Sequence, residues 1–322
     1  MTHLKKFITA IGVAVCAHGA AHAQNAPGYP SEQIKIYVGS APGAPSDVVA
    51  RVLSDRLATR FKQTTIVENR PGAGNNLAAV QIGKSKPDGH MLLVSPDTIA
   101  TVNPHVYSSN AMADLVPVSL LASFSQMLVC GSHAKVSSID DLAKLAKKQS
   151  VTYASGGAGV PGHLAAEMFL TATGIEMNHI PYKGPSPAAA DVLAGHVDCG
   201  FLTTPVVLPH VKSGRLTALA VSSAKPSPLA PEVPTLAKVS GKPEIDATFN
   251  QYLFVPKGTP APIVKELERA AAEIFQDPAT QSKLAALDLL AIGSNSVDAA
   301  KTLKIDVERW APVVKRLNLK PN

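Results

Sequence analysis

The chain of 322 residues is 46% hydrophobic and 17% charged, only 5% is aromatic, and the formal net charge is +6. Its Lys and Arg residues are spread out, with no run that alternates with stacking side chains, so the electrostatic footprint of a nucleic-acid binder is missing. Past the N-terminus no stretch approaches the ~20 uncharged apolar residues that a bilayer-spanning helix needs.

The chain opens with Lys5 and Lys6, an apolar stretch from Phe7 to Ala17, and Ala21-His22-Ala23. That order of basic, apolar and small-residue regions predicts a secretory signal over residues 1–23, cleaved near Ala23, and a periplasmic mature chain that starts at Gln24. A lipoprotein anchor at Cys16 is disfavoured because Val15 stands where a small residue is required. The remainder is too long for one small core and suits two lobes.

After the signal, β-rich runs alternate with helical patterns. Ile34–Gly39 precedes a helix over Val48–Phe61, whose Val48, Val49, Val52, Leu53 and Leu57 form one apolar stripe. Thr65–Glu68, a helix over Asn75–Ser85 and the strand Met91–Ser95 follow. The alternation restarts beyond Leu121 with Met127–Cys130, the helix Ser138–Lys147, the strand Val151–Ser155, the helix His163–Thr173 and the strand Asn178–Tyr182. Ala188–Leu193, Val197–Leu202 and Leu216–Ser222 complete a second unit. Pro226, Pro228, Pro231 and Pro234 mark a crossing segment, before a strand over Ala247–Val255 and two amphipathic helices that begin near Pro260 and Val297. This pattern predicts an α/β fold with mainly parallel sheets. If the last helices pack on the first unit, lobe 1 comprises 24–122 with 226–322, lobe 2 comprises 123–225, and the chain crosses between them twice around a hinged cleft.

Two turns carry candidate chemistry. Val38 to Asp47 joins the first strand to the first helix, with Ser46 as N-cap and Asp47 as a first-turn acid. Ala154 to His163 occupies the same strand-to-helix place in the second unit. A helix that opens at such a turn leaves amides unpaired and points its positive dipole end outward, so two facing turns would clamp an anion. Gly157, Gly159 and Gly162 spell a literal G-x-G-x-x-G, but the acid expected about 20 residues on is replaced by Ile180-Pro181-Tyr182-Lys183, which disfavours a dinucleotide. Tyr153-Ala154 before Ser155 breaks G-x-S-x-G, there is no H-E-x-x-H or Walker-type loop, and a lone His163 reads as structural. No zinc spacing occurs. Cys130 and Cys199 sit inside apolar runs and read preferentially as two separate buried hydrophobes, with a bridge as the alternative.

With these residues in view, the chain resembles the Bug-type (TctC family) substrate-binding proteins of tripartite tricarboxylate transporters. The resemblance rests on Pro42-Gly43 with Asp47-Val48-Val49-Ala50-Arg51, Val67-Glu68-Asn69-Arg70-Pro71-Gly72-Ala73-Gly74, Pro87-Asp88-Gly89 and Asn103-Pro104. It continues through Tyr153-Ala154-Ser155, His163-Leu164, Pro181-Tyr182-Lys183-Gly184, Lys212-Ser213-Gly214, Val233-Pro234-Thr235 and Pro256-Lys257-Gly258-Thr259-Pro260. The resemblance implies a Venus-flytrap fold of two α/β lobes, type II-like, holding a small carboxylate or dicarboxylate by backbone amides and ordered water and delivering it to membrane transporter subunits. A ligand-sensing receptor for a signalling partner, or an exported enzyme on the same fold, is the rival reading. Departures fall at Ala44, where the family commonly has glycine, at Pro45, at Ser40, commonly aromatic, and at Asn250 and Tyr252, commonly tryptophan and glycine.

The expected ligand contacts are therefore Ser40, Pro42, the amides of Gly43 and Ala44, Ser46 and Asp47 in the first turn, then Ser95 and Thr98. From the second unit come Ser155, the amides of Gly157 and Gly159, His163, Tyr182 and Thr203. No catalytic residue, metal or cofactor is expected, and the chain reads as a monomer.

Overall fold

The computed structural model describes residues 28–107, 110–317 and 319, so the signal segment with Cys16 lies outside the described residues. The first half is built from β1 (Ile34–Val38), α1 (Pro45–Phe61), β2 (Thr65–Asn69), α2 (Asn76–Gly83), β3 (Met91–Pro96), α3 (Thr98–Thr101), α4 (Asn103–Val106) and β4 (Leu115–Phe124). One residue, Ser125, separates β4 from β5 (Gln126–Gly131), which begins the second half. There α5 (Ile139–Lys148), β6 (Thr152–Ser155), α6 (Pro161–Thr173), β7 (Asn178–Pro181), α7 (Pro185–Ala194), β8 (Cys199–Thr203), α8 (Thr204–Lys212) and β9 (Leu216–Val221) follow. The chain then runs through α9 (Leu236–Ser240) to β10 (Phe249–Pro256), α10 (Ala261–Gln276), α11 (Pro278–Ala285), β11 (Leu289–Ala291) and α12 (Ser296–Leu317).

Local chemistry explains several of these boundaries. Ser138 caps α5 by accepting the Asp141 N–H, Asp140 and Asp141 sit in its first turn, and Lys147 and Lys148 in its last, all matched to the helix dipole. Gly174 and Gly195 end α6 and α7 in the left-handed conformation.

The strands form two sheets, in the orders β11-β4-β10-β3-β1-β2 and β7-β6-β8-β5-β9. Each is mixed, which corrects the expectation of mainly parallel sheets. β1 runs parallel to β2 and β3, and β6 parallel to β7 and β8. β10 is antiparallel to both β3 and β4, and β5 to both β8 and β9. In the first sheet β10, on which the chain returns, is inserted between β4 and β3, already laid down, and β11 runs antiparallel to β4; in the second sheet β5 comes first and is later flanked by β8 and β9. Apolar runs encode burial and not direction, so this insertion has no sequence signal.

The two crossings lie side by side. The Gln126 N–H donates to Ser222 Oγ (2.8 Å), and that hydroxyl donates to Ala247 O (2.8 Å). Backbone bonds from Ser222 N–H to Gln126 O and from Ala247 N–H to Ser222 O complete the stitch. The return to the first sheet is thus made at Ala247, downstream of the proline-rich stretch. That stretch stays with the second half: Thr235 bridges Val221, and α9 packs on α6 and β9.

Cys130 and Cys199 face each other across β5 and β8 and form a disulfide. This corrects the preferred reading of two separate buried thiols. Apolar runs disclosed burial of both residues but not that the strands carrying them are neighbours.

The first half's core is closed by α12 against β4, where buried Trp310 stacks on Phe249 with ring centroids 4.9 Å apart. The same helix also packs on α6 of the second half.

Candidate functional site

The β1–α1 turn is tight because Gly39 has no side chain: a Cβ there would lie 2.5 Å from Asn75 Cα and Cβ. Further along, the Gly43 N–H donates to Asp47 Oδ2 (2.9 Å) and the Ala44 N–H to Ala41 O (3.3 Å). Asp47 also accepts from Arg51 and from Asn69 Nδ2. Burial alone would raise its pKa, yet the bonds from Arg51, Gly43 and Asn69 hold it below the usual carboxylate range. Asp47 is therefore a strut of the turn, and the Gly43 amide is committed to it.

α1 begins at Pro45 with no side-chain cap, and its N-cap is Ala44, not Ser46 as expected. Ser46 Oγ instead donates to Gln251 Oε1 on β10 (2.8 Å), which fixes that amide group. The first amides of α1 are left to the cleft.

The β6–α6 turn is braced from within. Ser155 Oγ donates to Gly157 O (2.9 Å), accepts the Gly157 N–H (3.2 Å) and lies 2.6 Å from His179 Nε2. The Gly159 N–H donates to His163 Nδ1 (3.0 Å), so the neutral ring carries its proton on Nε2, 3.7 Å from Glu167 Oε1. His163 and His179 stack with centroids 4.1 Å apart. Burial lowers the His163 pKa to about 4, and burial plus the His163 charge lowers that of His179 to about 3. α6 opens at Pro161, again with no side-chain cap. Gly162 allows its first turn to lie on β8, since a Cβ would overlap the Phe201 carbonyl.

Both turns border one cavity of about 500 Å³ between the halves. Four helix openings reach it: Ala44 to Ser46 of α1, Ala73 to Asn75 before α2, Val160 to Gly162 of α6, and Gly184-Pro185 of α7, none with a side-chain cap. Three lining side chains keep a buried polar atom without a partner: Ser40 Oγ, Asn75 Oδ1 and Thr203 Oγ1. Among the lining residues none is acidic and Lys183 alone is charged. Positive helix ends and orphaned polar groups around a void free of carboxylates make an anion site.

Of the residues predicted from sequence, Ser40, Ala44, Ser46, Gly157, Tyr182 and Thr203 line this cavity. The others do not. Pro42, Gly43 and Asp47 lie in the turn away from the lining, and Gly43 spends its amide on Asp47. The amides of Ala44 and Gly157 line the cavity but bond within their own turns. Ser155 and His163 are buried braces, and Gly159 gives its amide to His163. A Cβ on Gly159 would lie 3.1 Å from Val102 and 3.3 Å from Leu319, so this glycine is packed between the halves. Ser95 and Thr98 are buried beside Asp97, off the cavity. Burial and the nearby Asp306 hold the Asp97 pKa well above the usual range. The departures Asn250 and Tyr252 belong to that network, both donating to Asp306 (2.8 and 3.0 Å), and leave the cavity's shape to others. Arg70 pairs with Glu68 (3.1 Å).

Sequence reasoning missed Asn75, Tyr107, Phe124, Gln126, Phe201 and Gln251, all on the cavity. Gln251 had a signal, as a polar residue in a strand whose eight positions are all buried. The remainder meet only through the topology. A surface trio of Glu32, Asp88 and His90 has metal-like spacing. His90 Nε2 there accepts the Ser31 and Glu32 amides, and its Nδ1 lies 3.2 Å from Asp88, so the ring is bonded within the fold.

No helix among the described residues is long and apolar enough to cross a membrane. Protein BugT of Bordetella pertussis is 33% identical over 325 residues, covering 99% of each chain. Rpa4515 of R. palustris, solved with adipate, is similar at a TM-score of 0.84 and 28% identity over 89% of this chain and 97% of that one. MatC (Rpa3494) from Rhodopseudomonas palustris, solved with bound malate, is similar at 0.81 and 25% identity over 89% of this chain and 100% of that one. Residues 49–319 match the family described as Tripartite tricarboxylate transporter family receptor. With a match of that extent, on a two-sheet fold whose cavity is ringed by helix openings, the chain belongs to the tripartite tricarboxylate transporter receptor family.

Proposed function

We propose that this chain is an exported receptor that closes its two halves on a small carboxylate or dicarboxylate and delivers it to the membrane subunits of a tripartite tricarboxylate-type transporter, acting by binding and not by turnover. The observation that carries this reading is the convergence of uncapped helix openings from both halves on one cavity without an acidic side chain. The adipate and malate held by Rpa4515 and MatC support the ligand class. In this reading the first amides of α1 and α6 hold the carboxylate, Gln251 is oriented toward it by Ser46, and the Ser40 and Thr203 hydroxyls donate to it. Charge-assisted bonds contribute roughly 1.5–3 kcal/mol each, so two or three give micromolar binding after the cost of association.

Mass spectrometry of protein purified from the periplasm and then denatured should release a carboxylic acid, and the mature mass should begin at Gln24. Thr203→Val provides the site test. Because the hydroxyl has no partner within the protein, the variant should be at least as stable as the parent yet bind the released acid about tenfold more weakly. Unchanged affinity removes Thr203 from the site; absence of any released acid, together with no thermal shift across a carboxylate panel, removes the receptor reading.

A further inference from the structure

The cavity's donors and acceptors are unevenly supplied. Several of its oxygens are committed: Gln251 Oε1 accepts Ser46 Oγ, Gly157 O accepts Ser155 Oγ, and Gly156 O accepts the Gly184 N–H at 3.0 Å. Asn75 Oδ1 has no partner but lies against Gly39, 2.8 Å from where a Cβ would stand. An ammonium brings three donors and a charge, and here it would meet positive helix ends and Lys183 with no lining carboxylate. The unpartnered hydroxyls of Ser40 and Thr203 offer it neutral acceptors, but burying a charge with no counter-charge is unfavourable.

The rings are uneven too. Tyr107 of the first half and Tyr182 of the second line this cavity and are partly exposed, whereas Phe124 and Phe201, which also border it, are 4% and 1% exposed and packed into the core. The Tyr182 hydroxyl donates to Asp191 (2.6 Å), which does not line the cavity, so its polar end is already bonded. Pro71, Pro96 and Val160 add apolar wall. At about 500 Å³ the space falls among cavities that enclose ring-sized ligands, and a four-carbon diacid would leave much of it wet.

We propose that, within the carboxylate-receptor reading, this cavity selects an acid that carries no ammonium group and has a ring-sized apolar or planar body lodged between Tyr107 and Tyr182 against the wall of Pro71, Pro96 and Val160. The carboxylate sits on the openings of α1 and α6, and the body takes the place of water against the rings from both halves.

Matched probes test the two parts separately. Titration calorimetry of the mature protein with 3-phenylpropionate, phenylalanine, succinate and aspartate should find 3-phenylpropionate at least about 100-fold tighter than phenylalanine, because a buried ammonium left without a counter-charge is strongly rejected. It should also bind about tenfold or more tighter than succinate, because the rings gain no partner from the diacid. Phenylalanine within threefold of 3-phenylpropionate overturns the exclusion of ammonium, and succinate matching 3-phenylpropionate overturns the ring-sized body. If none of the four binds while another carboxylic acid does, the receptor reading stands and this inference falls; if no acid binds, both fall. Lys183→Glu, an exposed and structurally safe change at the lining, should narrow the preference for 3-phenylpropionate over phenylalanine about tenfold by offering the ammonium a partner. An unaltered ratio in that variant counts against the electrostatic basis of the exclusion.

Discussion

The stacked rings of His163 and His179 do their work as neutral hydrogen-bonding groups. His163 holds the Gly159 amide and His179 lies against Ser155, so together they set the path of residues 155–159. Protonation of His163 would turn Nδ1 from an acceptor into a donor facing a donor. Both folded-state pKa values are depressed, to about 4 and about 3, below the ordinary value of 6.5. The folded protein thus binds fewer protons than the unfolded chain between those limits, and stability is lost as pH falls from about 6.5 toward 4. Urea denaturation across pH 4–7 should show this decline. His163→Asn keeps a side-chain acceptor without a titrating group, so its decline should be shallower by about 1 kcal/mol or more, one pKa unit being worth 1.36 kcal/mol. Parallel curves for parent and variant would assign the acid sensitivity elsewhere.

Strands and helices were readable wherever one residue face decides them. α1 was foreseen from its apolar stripe, and the helices expected near Pro260 and Val297 start at Ala261 and Ser296. Both strand-to-helix turns were readable because Gly, Pro and Ser announce them. The free amides assigned to Gly43 and Gly159 failed for a reason no spacing reveals: each has an internal acceptor four residues on, Asp47 or His163. Strand order failed likewise, and with it the partner of Cys130. The disulfide joins neighbouring strands inside one sheet, 69 residues apart in sequence, so it constrains the unfolded second half and leaves the cleft untouched. Replacing both cysteines by serine should cost about 2–4 kcal/mol in denaturant unfolding, with ligand affinity within about threefold of the parent. A loss of affinity without loss of stability would place the bridge in the binding apparatus instead.

At the scale of the molecule, two lobes were legible from length and from the restarted alternation, whereas the place where they join was not. Proline density marked a break in regular structure, but the return crossing is made at Ala247, held beside the outward one by the Ser222 hydroxyl and two backbone bonds. Ser222→Ala would strand the Gln126 N–H and one bond of Ala247 O in a buried setting, at a cost of about 1–3 kcal/mol. Equilibrium unfolding should register it; a change below about 0.5 kcal/mol would mean that the flanking backbone bonds suffice. The cavity residues that reading missed, such as Gln126 beside this seam and Tyr107 after α4, share no local pattern. They are neighbours only once the halves face each other.

The last helix reaches further than its place in the first sheet requires. α12 packs on β4 yet also touches α6, and Leu319 beyond it lies against Val102 and Gly159, where the two halves meet. α12 and Leu319 thus tie the two halves together, and a purification tag fused downstream would load that contact. Proteins carrying a tag at the mature N-terminus and at the C-terminus should then differ in measured affinity although their binding residues are identical.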